Sequence, residues 1–387
     1  MNYYSNILQK LETEGNRRML KKSNSNGKYI EFEGKSYLNI SSNDYLGIAA
    51  NSSFQQEFLT QVLKSEHFLF GATSSRLLTG NHTAYQQLEE QLKDLYQKEA
   101  CLIFNSGYHA NIGILPAIAQ KDDLILADKQ IHASLIDGLK LCNAQWERFR
   151  HNDLEHLVRI LERQRTNFKN VFIVTESVFS MEGDKADLAS LCKIKNQWNA
   201  LLYVDEAHAF GVIGKNGLGL CEETGTVHDI DFIVGTFGKA IASQGAFLTC
   251  KNEYADYLIN KSRSFIFTTA LPPITLQWIS FILNKLKSLN LLRDQLLKNA
   301  EFFRNSLVSN GFLCRGDSHI VSVITGKNEQ AISLSNHLIS NGYWALPIRW
   351  PTVAKGEARI RISLNPAITA NEIQSLIKSI GEWKQNG

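Results

Sequence analysis

The sequence lacks the features of membrane, secreted and metal-binding proteins. No run approaches the ~20 apolar residues of a membrane span, and the N-terminus has no apolar core of the kind found in signal peptides. The six cysteines are scattered, without a CxxC pair or a neighbouring histidine cluster at metal-ligand spacing. We therefore expect reduced thiols, no metal, no membrane association and a cytoplasmic location.

An excess of charge of one sign is also missing. The chain carries 41 Lys+Arg against 38 Asp+Glu over 387 residues, which gives a net charge of +3 and a pI of about 8.4. A nucleic-acid-binding domain would show a basic stripe and a much higher pI. We therefore expect no nucleic-acid partner, although residues 205–208 spell DEAH, the acidic motif of a large class of helicases.

A helicase would also need a phosphate loop of the form GxxxxGK[ST]. The step Gly27-Lys28 is followed by Tyr29, and the step Gly238-Lys239 is followed by Ala240. The second step also has Ile233 where the upstream glycine belongs. Neither position matches, so the helicase interpretation fails and the Asp and His of the DEAH motif need another explanation.

The pattern of apolar residues predicts an α/β fold. Short apolar runs such as "ACLIFNS", "DDLILAD", "VFIVTES", "ALLYVDEA" and "DFIVGTFG" alternate with helical patterns. This alternation indicates a mostly parallel sheet covered by helices in a large domain. Beyond a long predicted helix over 271–295, a strand–helix–strand–helix set predicts a smaller C-terminal α+β domain.

We predict three segments along the chain. Residues 1–45 form an N-terminal segment, with an amphipathic helix to about residue 22 and a β-hairpin that turns at Glu33-Gly34. Residues 46–280 form the large domain, and residues 281–387 form the small C-terminal domain.

Asp205 and Lys239 each follow an apolar strand, which is where α/β sheets bind ligands. A lone lysine is usually a surface charge, and a lone aspartate is as often a strand-end cap. A lysine between small residues is nevertheless a candidate amine nucleophile. Together with His208, the two match the needs of pyridoxal 5'-phosphate, in which a lysine makes the Schiff base and a carboxylate pairs with the pyridinium nitrogen.

Two further stretches fit the same cofactor. The turn at Ser106-Gly107 lies between a predicted strand and a helix, and a helix N-terminus suits a phosphate group. His132, also just after a strand, could cover one face of the ring. Taken alone, His132 is better explained as a core histidine.

The chain resembles the α-oxoamine synthases, which are fold-type I pyridoxal phosphate enzymes. The motifs that carry the resemblance occur in order almost from end to end: "SSNDYLG", "SSRLLTGN", "FNSGYHAN", "IHASLIDG", "TESVFSMEGD", "VDEAHAFGVIGKNGLG", "TFGKA", "FTTALPP" and "ARIRISLNP". The resemblance implies a transferase that condenses an amino acid with an acyl thioester and releases CO₂. It also implies a homodimer with active sites at the subunit interface.

By motif, the resemblance implies three groups of functional residues. The catalytic group is Lys239, His132, Asp205 and His208. The cofactor-binding group adds Ser106, Gly107, Tyr108, Ser180 and Thr236, with Thr268 and Thr269 serving the site of the other subunit. The substrate-binding group is Asn43 and Arg361 for the amino acid carboxylate, Glu176 near the reaction centre, and Arg17 and Arg349 for the far carboxylate of the acyl chain. For these last two arginines, an ordinary surface charge is an equally good explanation.

Within the family, "FRHNDLEHL" and "IRWPTV" most resemble the biotin-pathway members, which join L-alanine to a pimeloyl thioester on CoA or a carrier protein. Three other activities found among related enzymes stay open as alternatives. They are the use of glycine with acetyl-CoA, the use of serine with a long acyl chain, and the production of signalling ketones. A non-catalytic partner subunit is disfavoured because Lys239 is retained. The chain departs from the usual family pattern at Tyr85, Ala242, Trp350 and Ala354.

Overall fold

The computed structural model describes residues 2–64 and 69–386. The chain divides into two compact units. The large unit comprises Asn51–Ser180 and Lys185–Arg293, and the small unit comprises the described parts of Met1–Ala50, Met181–Asp184 and Asp294–Gly387. Within the described ranges, no helix has both the length and the apolar character needed to cross a membrane. The predicted division at residues 45 and 280 stays a prediction.

The strands are numbered in chain order. They are β1 (Asn24–Asn26), β2 (Tyr29–Phe32), β3 (Lys35–Asn39), β4 (Ala100–Phe104), β5 (Leu124–Asp128), β6 (Gln145–Phe149), β7 (Val171–Glu176), β8 (Leu201–Asp205), β9 (Phe232–Thr236), β10 (Ala246–Cys250), β11 (Cys314–Arg315), β12 (Ile320–Gly326), β13 (Tyr343–Trp344), β14 (Pro347–Ile348) and β15 (Ala358–Ser363).

The helices are numbered in the same way. They are α1 (Tyr3–Thr13), α2 (Ser52–Leu63), α3 (Thr83–Tyr96), α4 (Gly107–Ile118), α5 (Ala133–Leu141), α6 (Leu154–Gln164), α7 (Leu188–Gln197), α8 (Leu220–Glu223), α9 (Asn252–Lys261), α10 (Arg263–Ile266), α11 (Pro273–Lys285), α12 (Asn290–Ser309), α13 (Asn328–Ser340) and α14 (Ala370–Asn386).

The large unit is built on a sheet whose described strands run in the order β4-β10-β9-β8-β7-β5-β6. Strand β10 is antiparallel to both of its neighbours, and β9, β8, β7, β5 and β6 pair in parallel. Helices α3, α4, α6, α7 and α9 pack against the sheet. Every residue of β5, β7, β9 and β10 is buried, which explains their continuous apolar runs. The predicted helix-covered, mostly parallel sheet is confirmed.

The small unit contains two sheets, β1-β2-β3-β13 and β11-β12-β15-β14. Strands β2 and β3 form the predicted hairpin, in which Phe32 pairs with Lys35 across the two turn residues. Glu33 and Gly34 have φ values of 50° and 74°. Left-handed conformation at both central positions is typical of a type I′ turn, whose twist matches that of the flanking strands.

Two sequence predictions differ from the structure. Helix α1 ends at Thr13 and not near residue 22, because Gly15 adopts a left-handed φ of 64° and the described residues 16–23 form no helix or strand. The predicted helix over 271–295 is interrupted by a 3₁₀ segment at Leu286–Leu289. There the Ser288 hydroxyl donates to the Lys285 carbonyl at 2.7 Å and so competes with the hydrogen bonds of the helical backbone.

Strand β6 was not predicted. It lies at the edge of the large sheet, and its residues Gln145–Phe149 are mostly polar and largely accessible to solvent. An edge strand with this composition lacks the apolar run that marks the buried strands, so the periodicity of the sequence does not identify it.

Candidate active site

The site lies where strands of the large sheet end. Glu176 and Asp205 are the last residues of β7 and β8 and are register partners. Ala246, the first residue of antiparallel β10, pairs with Thr236 at the end of β9 and with Phe104 at the end of β4. The register therefore brings the ends of four parallel strands to one edge, where α/β sheets bind ligands.

Asp205 is held from two sides. Its Oδ1 accepts a hydrogen bond from the Ala207 amide at 2.9 Å, and its Oδ2 accepts one from Asn111 Nδ2 at 2.8 Å. The carboxyl is buried, with only 5% of the residue exposed. A buried carboxylate that accepts two N–H groups is suited to face a positively charged partner.

His132 caps the N-terminus of α5. Its Nδ1 accepts from the Ser134 amide at 3.2 Å and lies 2.8 Å from the Ser134 hydroxyl oxygen. Burial lowers the pKa of His132 below its usual range; the negative charge of Asp205 opposes this shift and the positive charge of Lys239 adds to it. His132 is therefore a neutral imidazole at neutral pH.

Glu176 lies beside these groups. One of its carboxyl oxygens, Oε1, accepts from the backbone amide of His132. Burial raises the pKa of Glu176 well above its usual range, the negative charge of Asp205 raises it further, and Lys239 opposes the shift. The shift favours the protonated form of the Glu176 carboxyl.

Lys239 is half-buried in the turn that follows β9. Its charge acts on both His132 and Glu176, as does the charge of Asp205. The structure thus brings together the lysine, the histidine and both carboxyls, which are separated by up to 107 residues in the sequence. His208, in the turn after β8, is also buried.

A cradle for an anion lies at the start of α4. Ser106 is the N-cap, and its hydroxyl accepts from the His109 amide at 3.2 Å. Within the described part of the chain, the amides of Gly107 and Tyr108 have no acceptor. A Cβ placed on Gly107 would lie 3.8 Å from Thr236 Oγ1, so this hydroxyl, which donates to the Gly245 carbonyl at 3.0 Å, lies beside the start of α4. Such a set suits a phosphate group.

The loop with Thr268 and Thr269 is fixed by its neighbours in the large unit. Asn105 Nδ2 donates to Thr268 Oγ1 at 3.0 Å and to the Thr269 carbonyl at 2.7 Å. The Tyr85 hydroxyl accepts from the Leu271 amide at 2.6 Å. Tyr85, one of the departures from the family pattern, therefore holds the end of this loop.

Ser180, predicted to lie near the cofactor, is buried at the end of the first segment of the large unit. Asn43 and Arg361 both lie in the small unit, and Tyr45 links them. The Tyr45 hydroxyl donates to Asn43 Oδ1 at 3.1 Å and accepts from Arg361 Nη2 at 2.9 Å. The two residues predicted to bind one carboxylate thus belong to one hydrogen-bonded group.

Arg17 and Arg349 also lie in the small unit. Arg17 forms an ion pair with Glu12 at 2.5 Å, and Arg349 donates to the Gly15 carbonyl. Each lines one of two adjoining clefts that share Arg18 among their lining residues. The structure therefore places both arginines beside open clefts, and their proposed role stays a prediction.

Sequence reasoning missed Asn111, the residue that contacts Asp205 directly. Asn111 belongs to the motif "FNSGYHAN" and lies one helical turn after Gly107. Its place in the motif was the available signal. That it faces Asp205, 94 positions away in the sequence, is a tertiary contact that no local pattern shows.

The arrangement fits pyridoxal phosphate. The two amides of α4 without acceptors, beside the Thr236 hydroxyl, match its phosphate. The buried carboxylate of Asp205 suits its ring nitrogen, and the half-buried amine of Lys239 would suit its aldehyde.

Comparison with known proteins agrees with this fit. The family described as aminotransferase class I and II matches residues 35–380. The 8-amino-7-oxononanoate synthase of Haemophilus ducreyi is 46% identical over 97% of this chain and 99% of that protein. A putative 8-amino-7-oxononanoate synthase of Glaesserella parasuis is also 46% identical, over 98% of this chain and all of that protein.

Solved structures give two neighbours. Serine palmitoyltransferase from S. paucimobilis, solved with a PLP adduct, superposes with a TM-score of 0.91 at 28% identity and covers 99% of this chain and 97% of its own. The 8-amino-7-oxononanoate synthase of Francisella tularensis has a TM-score of 0.76 at 30% identity, with 90% and 98% covered. The chain therefore belongs to the class I and II aminotransferase family and, within it, to the α-oxoamine synthases, which are fold-type I pyridoxal phosphate-dependent acyltransferases.

Proposed function

We propose that this protein condenses L-alanine with a pimeloyl thioester, carried on CoA or on a carrier protein, in the cytoplasm. The products are 8-amino-7-oxononanoate, CO₂ and the free thiol, and the reaction belongs to biotin biosynthesis. The observation that carries the proposal is the 46% identity, over nearly the whole length of both chains, to a protein named 8-amino-7-oxononanoate synthase.

Pyridoxal phosphate, when bound, supplies an electron sink that stabilises negative charge on the amino acid Cα. Lys239 would hold the cofactor through its Nζ and would then take the proton from the substrate Cα. Asp205 would face the ring nitrogen, and its two N–H donors hold its carboxylate in place. His208 would bind the ring hydroxyl.

His132 would cover one face of the cofactor ring, and burial, which lowers the pKa of His132, favours the neutral imidazole. Gly107 and Tyr108 would offer backbone donors to the phosphate at the turn that begins with Ser106. Thr236 and Ser180 would also lie close to the cofactor. Glu176 would provide a carboxyl beside the reaction centre, and burial, which raises its pKa, favours the form without a second negative charge next to Asp205.

The substrate assignments rest on the family resemblance. Asn43 and Arg361 hold the carboxylate of the amino acid, and a guanidinium fork orients a carboxylate well. Arg17 and Arg349 bind the far carboxylate of the acyl chain. The clefts beside these two arginines support the second assignment.

The proposed assembly is a homodimer in which the Thr268–Thr269 loop completes the cofactor site of the other subunit. The loop is preceded by Phe267, which is 71% exposed, and Leu78 is 79% exposed. A second subunit that covers this loop would remove such apolar side chains from water. Light scattering coupled to size-exclusion chromatography tests the dimer.

A sibling activity, serine with a long-chain acyl donor, is the second candidate because of the high structural similarity to serine palmitoyltransferase. The test is thiol release by the cofactor-loaded protein, with pimeloyl-CoA and palmitoyl-CoA each offered L-alanine, glycine and L-serine. We expect release that depends on pimeloyl-CoA and alanine. Release only with serine and palmitoyl-CoA would replace the proposal with the sibling activity.

A further inference from the structure

A buried network of hydrogen bonds connects Asp205 to His132 through two side chains that have no assigned role. These are Asn111 on α4 and Ser134 on α5, and each is only 1% exposed. A Cβ on Gly138 of α5 would lie 2.7 Å from the Asn111 carbonyl oxygen. The absence of a side chain there allows the two helices to approach closely enough for Asn111 to reach Ser134.

The orientation of the Asn111 amide is determined by its neighbours. The Tyr203 hydroxyl donates to Asn111 Oδ1 at 2.6 Å. The amide nitrogen then donates to Asp205 Oδ2 at 2.8 Å and to Ser134 Oγ at 2.9 Å. The reversed amide would place its oxygen against the Asp205 carboxylate, and two acceptors would repel each other.

Ser134 connects the oriented Asn111 amide to His132 by a second hydrogen bond. Because Ser134 Oγ accepts from Asn111, its own proton is free to point at His132 Nδ1, 2.8 Å away. The Ser134 amide also donates to the same nitrogen at 3.2 Å. Two donors at Nδ1 require its lone pair, so the imidazole proton lies on Nε2.

We infer that Asn111 and Ser134 are positioning residues that fix the proton of His132 on Nε2 and hold the Asp205 carboxylate in a single orientation. The inference rests on the proposed roles of His132 and Asp205 in cofactor binding. Their two positions are linked, because one amide donates both to the carboxylate and, through Ser134, to the imidazole. Neither Asn111 nor Ser134 has to touch the substrate for this effect.

The direct test is ¹⁵N NMR of the full-length, cofactor-loaded protein labelled at histidine. A His132→Asn variant identifies the signals of this ring among the ten histidines of the chain. We expect an unprotonated Nδ1 and a protonated Nε2 in the unsubstituted protein at pH 7. A protonated Nδ1 would overturn the inference, whether or not alanine and pimeloyl-CoA prove to be the substrates.

The variants Ser134→Ala and Asn111→Ala test the coupling. We expect each to give a mixture of His132 tautomers and to lower kcat by about tenfold, while KM for the amino acid changes less than about twofold. The matched control is Ser335→Ala in the small unit, since Ser335 is also a buried serine and donates to a backbone carbonyl at 2.6 Å. It should keep the tautomer and kcat.

An unchanged tautomer in Ser134→Ala, in a folded protein, would also overturn the inference. If Ser134→Ala does not fold, two other measurements test the inference. They are the His132 tautomer of the unsubstituted protein and the ¹⁵N spectrum of Tyr203→Phe. That variant removes only the donor to Asn111 Oδ1. We expect it to shift the His132 signals, and an identical spectrum would count against the network.

Discussion

Glu176 and Asp205 are register partners at the ends of neighbouring parallel strands, so two buried carboxyls share one edge of the sheet. Burial raises the pKa of Glu176 well above its usual range, and the charge of Asp205 raises it further. Like charges at such positions do not both ionise. Both effects favour the protonated form of Glu176.

The substitution Glu176→Gln tests this distribution of charge. Glutamine has the shape of the neutral acid and keeps an oxygen for the His132 amide. We expect cofactor affinity within about twofold of the original value, measured by absorbance titration. Glu176→Asp, which is too short to reach the amide, should lower the melting temperature. A more than about tenfold loss of affinity in Glu176→Gln would show that Glu176 is charged.

The substitution Asp205→Asn, unlike Glu176→Gln, should impair the protein strongly. It removes the charge and turns an amide N–H towards one of two existing donors, Ala207 N or Asn111 Nδ2. We expect kcat to fall by on the order of 10²-fold or more. The control is Asp123→Asn, another buried aspartate that accepts from backbone amides, at the start of β5. It should lose stability but keep kcat, and equal losses of kcat in both variants would contradict the assignment.

Ala242, one of the departures from the family pattern, has an unfavourable backbone conformation. It has a left-handed φ of 51° in the turn after Lys239. A Cβ in this conformation is strained, so we expect Ala242→Gly to raise the free energy of unfolding by about 0.5–1 kcal/mol in urea denaturation. Ala240→Gly, at a fully buried position, should lower it. Destabilisation by both substitutions would contradict the account of strain.

Glu372 predicts a pH dependence of the small unit. Burial raises its pKa, but hydrogen bonds from Lys28, Thr369 and Tyr29 outweigh burial and bring the pKa to about 2. Because this value lies below that of the unfolded chain, the stabilisation is complete above about pH 4.5 and is lost as the pH falls towards 2.

Because solvent screens part of this effect at a partly exposed side chain, we expect Glu372→Gln to cost only about 1 kcal/mol at pH 7, and progressively less below about pH 4.5. Urea unfolding at several pH values measures this difference. Glu382→Gln on the same helix removes an exposed pair with Lys378 at 3.7 Å and should cost less than about 0.5 kcal/mol at every pH. A cost for Glu372→Gln that is constant with pH would contradict the depressed pKa.

The sequence predicts those parts of the fold that have a local cause. Buried strands such as β7 and β9 are continuous apolar runs, and the positions of Asp205 and Lys239 after their strands place them at one sheet edge. Edge strand β6 was not predicted because its residues are mostly polar and accessible to solvent. The overlong prediction for α1 arose because the helical pattern continues past Gly15, where the backbone turns left-handed.

The candidate site was predictable only in part, for a related reason. Motifs identify the residues that end strands or begin helices, since those positions have recognisable neighbours. The partners of these residues come from elsewhere in the chain. Asn111 reaches Asp205 across 94 positions, and Tyr85 reaches the Leu271 amide across 186. Such contacts depend on how the helices pack on the sheet, which periodicity does not specify.

The central claim is that Lys239 binds the cofactor in the site built around Asp205 and His132. The most direct measurement is borohydride reduction of the cofactor-loaded protein, followed by proteolysis and mass spectrometry to locate the modified lysine. The account predicts a phosphopyridoxyl group on Lys239 and none in Lys239→Ala. Modification of a different lysine, such as half-buried Lys98, or stoichiometric modification of Lys239→Ala, would contradict it.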